Sequence, residues 1–216
     1  MKLTRTANAG FLLELDGAVI GLDSVCLAVS PYLATPPSER DRVTNAAPDL
    51  LAYTHCHADH FDPDFAQRFT GPILGPVATA LPGKTIPLAP VTVKNVRITP
   101  VTTRHIGKSD LSEGHCSFII EGSRCIWFTG DAGPVQLNAL AVFPKPDVLI
   151  APFAYATTPS AQRMVHASGA KELVLCHLPL REQDPDGLWS AVEAMLPGFG
   201  IPVRIPDIGE TQYFYE

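Results

Sequence analysis

Four apolar runs of strand length in this chain are each followed by histidine or aspartate. LLAYT (50–54) runs into His55, His57, Asp59 and His60; VRITPVTT (96–103) leads through Arg104 to His105; CIWFTG (125–130) meets Asp131; and LVLC (173–176) meets His177. Open α/β sheets place their ligands just beyond the carboxyl ends of strands. If these four runs are strands that empty onto one edge, all of these side chains converge there.

The rest of the chain supports a strand-rich reading. KLTRT, FLLEL and AVIGL precede LLAYT, with Asp16-Gly17 as a turn signal between the second and third. VTVKNVRITPVTT, CSFIIEG, RCIWFTG, DVLIAPF, ELVLCH and a final run near TQYFYE continue the pattern. Helix signals are fewer. Asp62-Pro63 provides an N-cap and a proline for DFAQRF, and Asp184-Pro185 or Asp186 does the same for GLWSAVEAML. Pro134 after Gly133 opens a third candidate, VQLNALAVF. This is a mixed α/β layout without repeats or an evident linker, and its length of 216 residues fits one domain spanning 1–216. The 21 prolines fall at strand ends and in loops, where they stiffen connections.

Composition removes several classes of function. A formal net charge of -6, with no basic window, disfavours a role that depends on broad contact with nucleic-acid phosphates. In MKLTRTANAGFLLELDG the apolar stretch is broken at Glu14 and Asp16, so it matches neither a signal peptide nor a membrane span, and a cytoplasmic protein is expected. The cysteines (Cys26, Cys56, Cys116, Cys125, Cys176) are odd in number and lack CxxC spacing, which argues against a disulfide framework or a thiolate zinc site. They are expected to be reduced and mostly buried, with Cys56 and Cys176 packing beside the histidine loops.

Imidazole nitrogens and carboxylate oxygens suit Zn²⁺, Mn²⁺ or iron. Two neighbouring cations also need a carboxylate between them to reduce their repulsion, and His55, His57, Asp59, His60, His105, Asp131 and His177 contain such a set. A lone histidine is more often a satisfied core or surface residue, which is the default for His115 and His166. The cluster HCHADH (55–60) is too dense for that explanation.

The chain resembles the metallo-β-lactamase superfamily, in its small-hydrolase branch of lactonase-like and RNase Z-like enzymes. The resemblance runs along essentially the whole chain, through GFLLELDGAVIGLD with its Asp23, THCHADH as the HxHxDH signature, FTGDAG and VLCHLP. It implies an α/β (α+β) fold, the four-layer αββα metallo-β-lactamase sandwich. By the same resemblance His55, His57 and His105 hold a first metal, Asp59, His60 and His177 a second, and Asp131 bridges, while Asp23 supports the ligand loop from behind. The third motif has two candidates, His105 in TTRHIGKSD and His115 in EGHCSFII. His105 is favoured because it ends a strand-like run.

Two divalent ions, zinc first and manganese or iron as alternatives, would hold a bridging hydroxide at neutral pH. The expected activity is hydrolysis of an ester-like bond (a lactone, phosphoester or phosphodiester) in a small metabolite, anionic ones among the candidates, with Asp59 also orienting the nucleophile or taking its proton. No GxSxG elbow or phosphate loop suggests a covalent route. SVCLAVSPYLATPPSERDR and PFAYATTPSAQR are read as loops that select substrate, with Arg104, Lys108 and Tyr155 as candidates for contact. An RNA-processing phosphodiesterase and an iron-dependent redox enzyme are the alternatives, and a non-catalytic metal-binding protein is the weakest reading. A homo-oligomer stays open.

Overall fold

A computed structural model describes residues 1–108, 110–111, 114–184 and 186–215. Pro185, the proline of the helix signal before GLWSAVEAML, and parts of the segment after His105 lie outside the described residues.

Two sheets face each other. The first is six-stranded, built from β1 (Lys2–Arg5), β2 (Phe11–Leu15), β3 (Ala18–Leu22), β4 (Leu50–Ala52), β5 (Ile73–Leu74) and the chain's last strand, β13 (Thr211–Tyr213), in the order β13-β1-β2-β3-β4-β5. The second is seven-stranded and follows the sequence: β6 (Val91–Val93), β7 (Val96–Thr102), β8 (Cys116–Glu121), β9 (Cys125–Phe128), β10 (Val148–Pro152), β11 (Glu172–Cys176) and β12 (Val203–Arg204).

Period-two alternation explains why these sheets pack as layers. Leu13, Ile20, Leu50 and Ala52 from the first sheet meet Ile98, Phe118, Ile120, Phe128, Ile150 and Val174 from the second in one buried core. The intervening residues face outward. Leu51, Tyr53 and Ile73 pack beneath Ala66 of α2 (Pro63–Arg68). Ile119, Trp127, Leu149 and Leu173 pack against Leu137 and Leu140 of α3 (Leu137–Leu140), Val165 of α4 (Pro159–Ser168) and Val192 of α5 (Leu188–Met195). The expected αββα sandwich is what forms.

Connections set the direction of the strands. The β2–β3 turn places Asp16 and Gly17 at φ 49° and 80°, the left-handed pair that a two-residue hairpin requires. Parallel steps with intervening helices then join β3 to β4 through α1 (Pro37–Ala46), β4 to β5 through α2, and β9 to β10 to β11 through α3 and α4. Since β8 is antiparallel to both β7 and β9, strands β7, β9, β10 and β11 all end at one edge. The same logic sends β1, β3 and β4 of the other sheet one way.

Some local expectations need correction. The helix expected over VQLNALAVF shrinks to a 3₁₀ turn at Pro134–Gln136 plus the four residues of α3. The last six residues of SVCLAVSPYLATPPSERDR belong to helix, because α1 begins at Pro37, and α4 begins within PFAYATTPSAQR, where the Thr158 side chain accepts the Ala161 N–H. The N-cap of α5 is Gly187, at φ 66°, and not Asp184 or Asp186, although the Asp184 carboxylate still accepts the N–H groups of Leu188 and Trp189 in the first turn.

Candidate metal centre

The loops after β3, β4, β7, β9 and β11 deliver their polar residues to one place at the edge of the sandwich. Nitrogens of His55, His57 and His105 lie within 4.8 Å of one another, as do the ligand atoms of Asp59, His60 and His177. Asp131 stands between the groups: its Oδ1 is 3.3 Å from His60 Nε2, and its Oδ2 is 3.4 Å from His105 Nε2 and 3.3 Å from His177 Nε2. All of the ligand candidates taken from the sequence therefore converge.

The far sides of the His55, His60 and His105 rings are held by protein. Asp23, fully buried at φ 42° just past β3, accepts the Thr54 N–H at 2.8 Å, the Thr54 hydroxyl at 2.6 Å and His60 Nδ1–H at 2.9 Å. Because the Thr54 hydroxyl gives its proton to Asp23, its oxygen is left to accept from His55 Nδ1, 2.9 Å away. His105 Nδ1 donates to the Ile106 carbonyl at 2.7 Å. In each case the Nδ1–H is used, so Nε2 carries a lone pair toward the centre, the arrangement that protein partners impose on metal-binding histidines.

The centre itself lacks matching donors. Buried Nε2 atoms of His55 and His60 make no hydrogen bond, although His60 Nε2 is near Asp131. His177 Nε2 is 3.1 Å from Asp59 Oδ2 but out of hydrogen-bond alignment with it. These atoms point at a common space more than at each other. Buried polar groups of this kind ordinarily find partners, and a divalent cation fits this donor set of nitrogen and carboxylate oxygen.

Electrostatics agree. Burial alone would raise the Asp131 pKa, yet the charges of His177 and His60 hold it well below the usual carboxylate range. Conversely, burial opposes charge on His60 and His177, but Asp131, with Asp23 and Asp59 respectively, pushes each up to about 10. The carboxylates call for positive charge at this spot, and in the protein alone only protons on these two rings can provide it. His55 goes the other way: burial, then the nearby His60 charge, takes it well below its ordinary value.

His115 lies beside the cluster with different partners. Its Nε2 accepts the Asp131 N–H at 3.1 Å, so its proton sits on Nδ1 and is donated to Thr103 Oγ1 at 2.9 Å. Thr103 passes the chain to Ser117 at 3.0 Å, and Ser117 donates to the Thr129 carbonyl at 3.0 Å. Both ring nitrogens are thus engaged, and burial drops the ring's pKa to about 3, which keeps it neutral. This histidine, the less favoured of the two third-motif candidates, is a satisfied buried residue that fixes the main chain carrying Asp131.

Two further expectations change, and one residue is added. Tyr155 is fully buried, and its hydroxyl donates to the carbonyls of Ala132 and Gly133, so it braces the Asp131 loop and does not face a substrate. Cys176 is buried as expected, but Cys56 is exposed, since the residues between His55 and His57 turn outward. Tyr32, absent from the sequence candidates, sets its ring edge-on to His177 with centroids 4.4 Å apart. Burial, then the charges of Asp131 and Asp59, push its phenol up to about 12. Arg104 and Lys108 are exposed.

The chain belongs to the β-lactamase superfamily: residues 2–174 match the model of the Beta-lactamase superfamily domain. Among solved structures it is similar to Igni18, a metallo hydrolase from the archaeon Ignicoccus hospitalis, with a TM-score of 0.73 and 20% identity over 100% of this chain and 99% of that one. A possible metal-dependent hydrolase from Veillonella parvula gives a TM-score of 0.76 at 16% identity, covering 98% of each chain. CmlA, a diiron β-hydroxylase from Streptomyces venezuelae, gives 0.73 at 14% identity over 99% of this chain but 54% of its own. Among curated proteins none matches this sequence. No helix among the described residues is long and apolar enough to cross a membrane.

Proposed function

We propose that this protein is a metal-dependent hydrolase with two divalent ions, one held by His55, His57 and His105, the other by Asp59, His60 and His177, with Asp131 shared between them. The observation that carries this reading is that the buried Nε2 atoms of His55 and His60 face the Asp131 region without hydrogen bonds while their Nδ1 atoms are fixed from behind by Thr54 and Asp23. Metal-dependent hydrolysis is also the activity named for the Ignicoccus and Veillonella proteins of the same fold.

When bound, such ions lower the pKa of a coordinated water to about 7 and polarise the oxygen of the bond to be cleaved. The protein's own part is orientation and proton handling. Asp59 Oδ2, next to His177, is placed to orient the attacking water or take its proton. Asp23 keeps the His60 ring and, through Thr54, the His55 ring from rotating. Tyr32, edge-on to His177, is also one wall of a neighbouring cleft of about 680 Å³ formed with Ser30, Pro31, Leu33, Arg181 and Gln183, although none of the metal-ligand candidates themselves lines it. That volume suits a small molecule, so the substrate we propose is a small metabolite with a lactone, phosphoester or phosphodiester bond. Zinc is the expected metal, and the cytoplasm the expected location.

Elemental analysis of gently purified protein beside His57→Ala tests this reading. About two zinc or manganese ions per chain, fewer in the variant, together with turnover of a lactone or phosphodiester, is the expected result. Retention of no metal after reconstitution would refute it. Predominant iron with no ester hydrolysis would instead favour redox chemistry, the reading to which the fold likeness with the diiron hydroxylase lends support.

A further inference from the structure

The loop after β1 ends at the same edge as the metal-centre loops, since β1 runs parallel to β3 within its sheet. Arg5, the last residue of β1, is 4% exposed, and its guanidinium turns back into this loop. Nε donates to the carbonyls of Ala7 and Asn8 at 3.2 Å each, Nη2 to Asn8 at 2.7 Å, and Nη1 to Pro206 at 2.8 Å. Burying a guanidinium is costly unless its donors are satisfied, and here main-chain carbonyls satisfy them.

That arrangement freezes Asn8, which is itself 3% exposed. The Asn8 carbonyl receives a third hydrogen bond, from the His177 N–H at 3.2 Å. His177 sits at φ 63°, a left-handed conformation that a residue with a side chain adopts only where its surroundings impose it. The Asn8 side chain meanwhile points its Nδ2 at Asp59 Oδ2, 3.5 Å away, while its buried Oδ1 has no hydrogen-bond partner. One residue thus touches two of the three groups assigned to the second metal, and the contacts found for it reach none of the three assigned to the first.

We propose that the side-chain amide of Asn8, held in place by the Arg5 clamp on its main chain, is a positioning group for the Asp59/His60/His177 position alone: it orients the carboxylate of Asp59, beside a main chain that already receives the His177 N–H, and so sets the affinity of the second ion independently of the first. This inference rests on the two-ion reading above. Partners of this kind, one layer behind metal ligands, are worth about 10- to 100-fold in metal affinity.

The test is calorimetric titration of Zn²⁺ into metal-free wild type, Asn8→Leu and Asn8→Ser. Asn8→Leu keeps the volume and removes the amide; Asn8→Ser guards against failure of the bulkier apolar variant to fold, which thermal melting of the metal-free proteins monitors. The expected result is two binding steps in wild type and, in the folded variants, an unchanged first step with a second weakened by about 10- to 100-fold. Two unchanged steps, or both steps weakened alike, would overturn the positioning role. A wild type that binds fewer than two equivalents would instead overturn the two-ion reading, and with it this one.

Discussion

The two histidines of the third motif region should separate cleanly when each is replaced. His115→Ala removes the acceptor of the Asp131 N–H and the donor to Thr103, in a place that is 3% exposed. A buried polar group left without its partner costs about 1–3 kcal/mol. Two such groups, plus the space vacated by the ring, bring the expected loss to roughly 3–6 kcal/mol, with refilling by water at the lower end. In a chain of 216 residues each kcal/mol corresponds to about 2–4 °C, so the metal-free protein should melt on the order of 10 °C lower. His115→Gln, whose side-chain oxygen can reach the position of Nε2 and accept the Asp131 N–H, should recover part of that loss.

His105→Ala should behave in the opposite way. Its ring is 14% exposed, against 3% for His115, and its Nδ1 bonds the adjacent Ile106 carbonyl, so the metal-free melting temperature should fall by less than it does for His115→Ala. Its effect should fall on the first metal. The assay is thermal melting of metal-free protein in parallel with metal stoichiometry for all three variants. If His115→Ala loses a metal without loss of melting temperature while His105→Ala keeps both metals, the assignment of the two rings is reversed and the tautomer argument for His115 is wrong.

Other perturbations test the supports around the centre. Asp23→Ala removes the acceptor for His60 Nδ1–H and for Thr54, and should weaken metal binding by about 10- to 100-fold, read by competition with a chromophoric chelator; unchanged affinity would mean the rings hold their orientation unaided. Gly130→Ala adds a Cβ that would sit 2.6 Å from the Thr54 side chain at a φ of 52°; it should both lower the melting temperature and reduce metal content, and a variant with wild-type values of each would show that the Thr54 loop yields freely. Asp59→Asn should lower kcat by about 100-fold or more in protein that still holds both metals, the usual scale for losing a proton acceptor. Full turnover at intact metal content would remove Asp59 from proton handling.

The sequence made some of this legible because strand ends carry two signals at once. An apolar run of period-two residues predicts the strand, and a histidine or aspartate directly after it is pinned to the sheet edge by only a few bonds of chain. His55, His57, Asp59, His60, Asp131 and His177 are close to their strands, so the uncertainty in where each would lie was small. Elements whose burial is slight left weaker traces. Helix α1 has the sequence PSERDRVTNA and buries only Glu39 and Val43, so it offers no apolar stripe to find. Strands β5 and β12, two residues each, are shorter than the alternation needed to recognise them.

Residues that act through hydrogen bonds with main-chain groups are hidden for a different reason. Tyr155, His115, Arg5 and Asn8 each do their work by meeting main-chain atoms from distant segments, and main-chain atoms are the same whatever the sequence. Arg5 meets Pro206, His115 meets the N–H of Asp131, and Asn8 meets the N–H of His177. Neither partner's side chain need record the contact. A cation clamp, a histidine cap and a buried phenol therefore look alike in the sequence, as isolated polar residues. What separates a ligand from its support here is the use of the second ring nitrogen. His55, His60 and His105 give the protein one nitrogen, whereas His115 gives it two. Among the described residues that difference is fixed by where Thr54, Asp23, Ile106 and Thr103 come to rest, which only the closed sandwich decides.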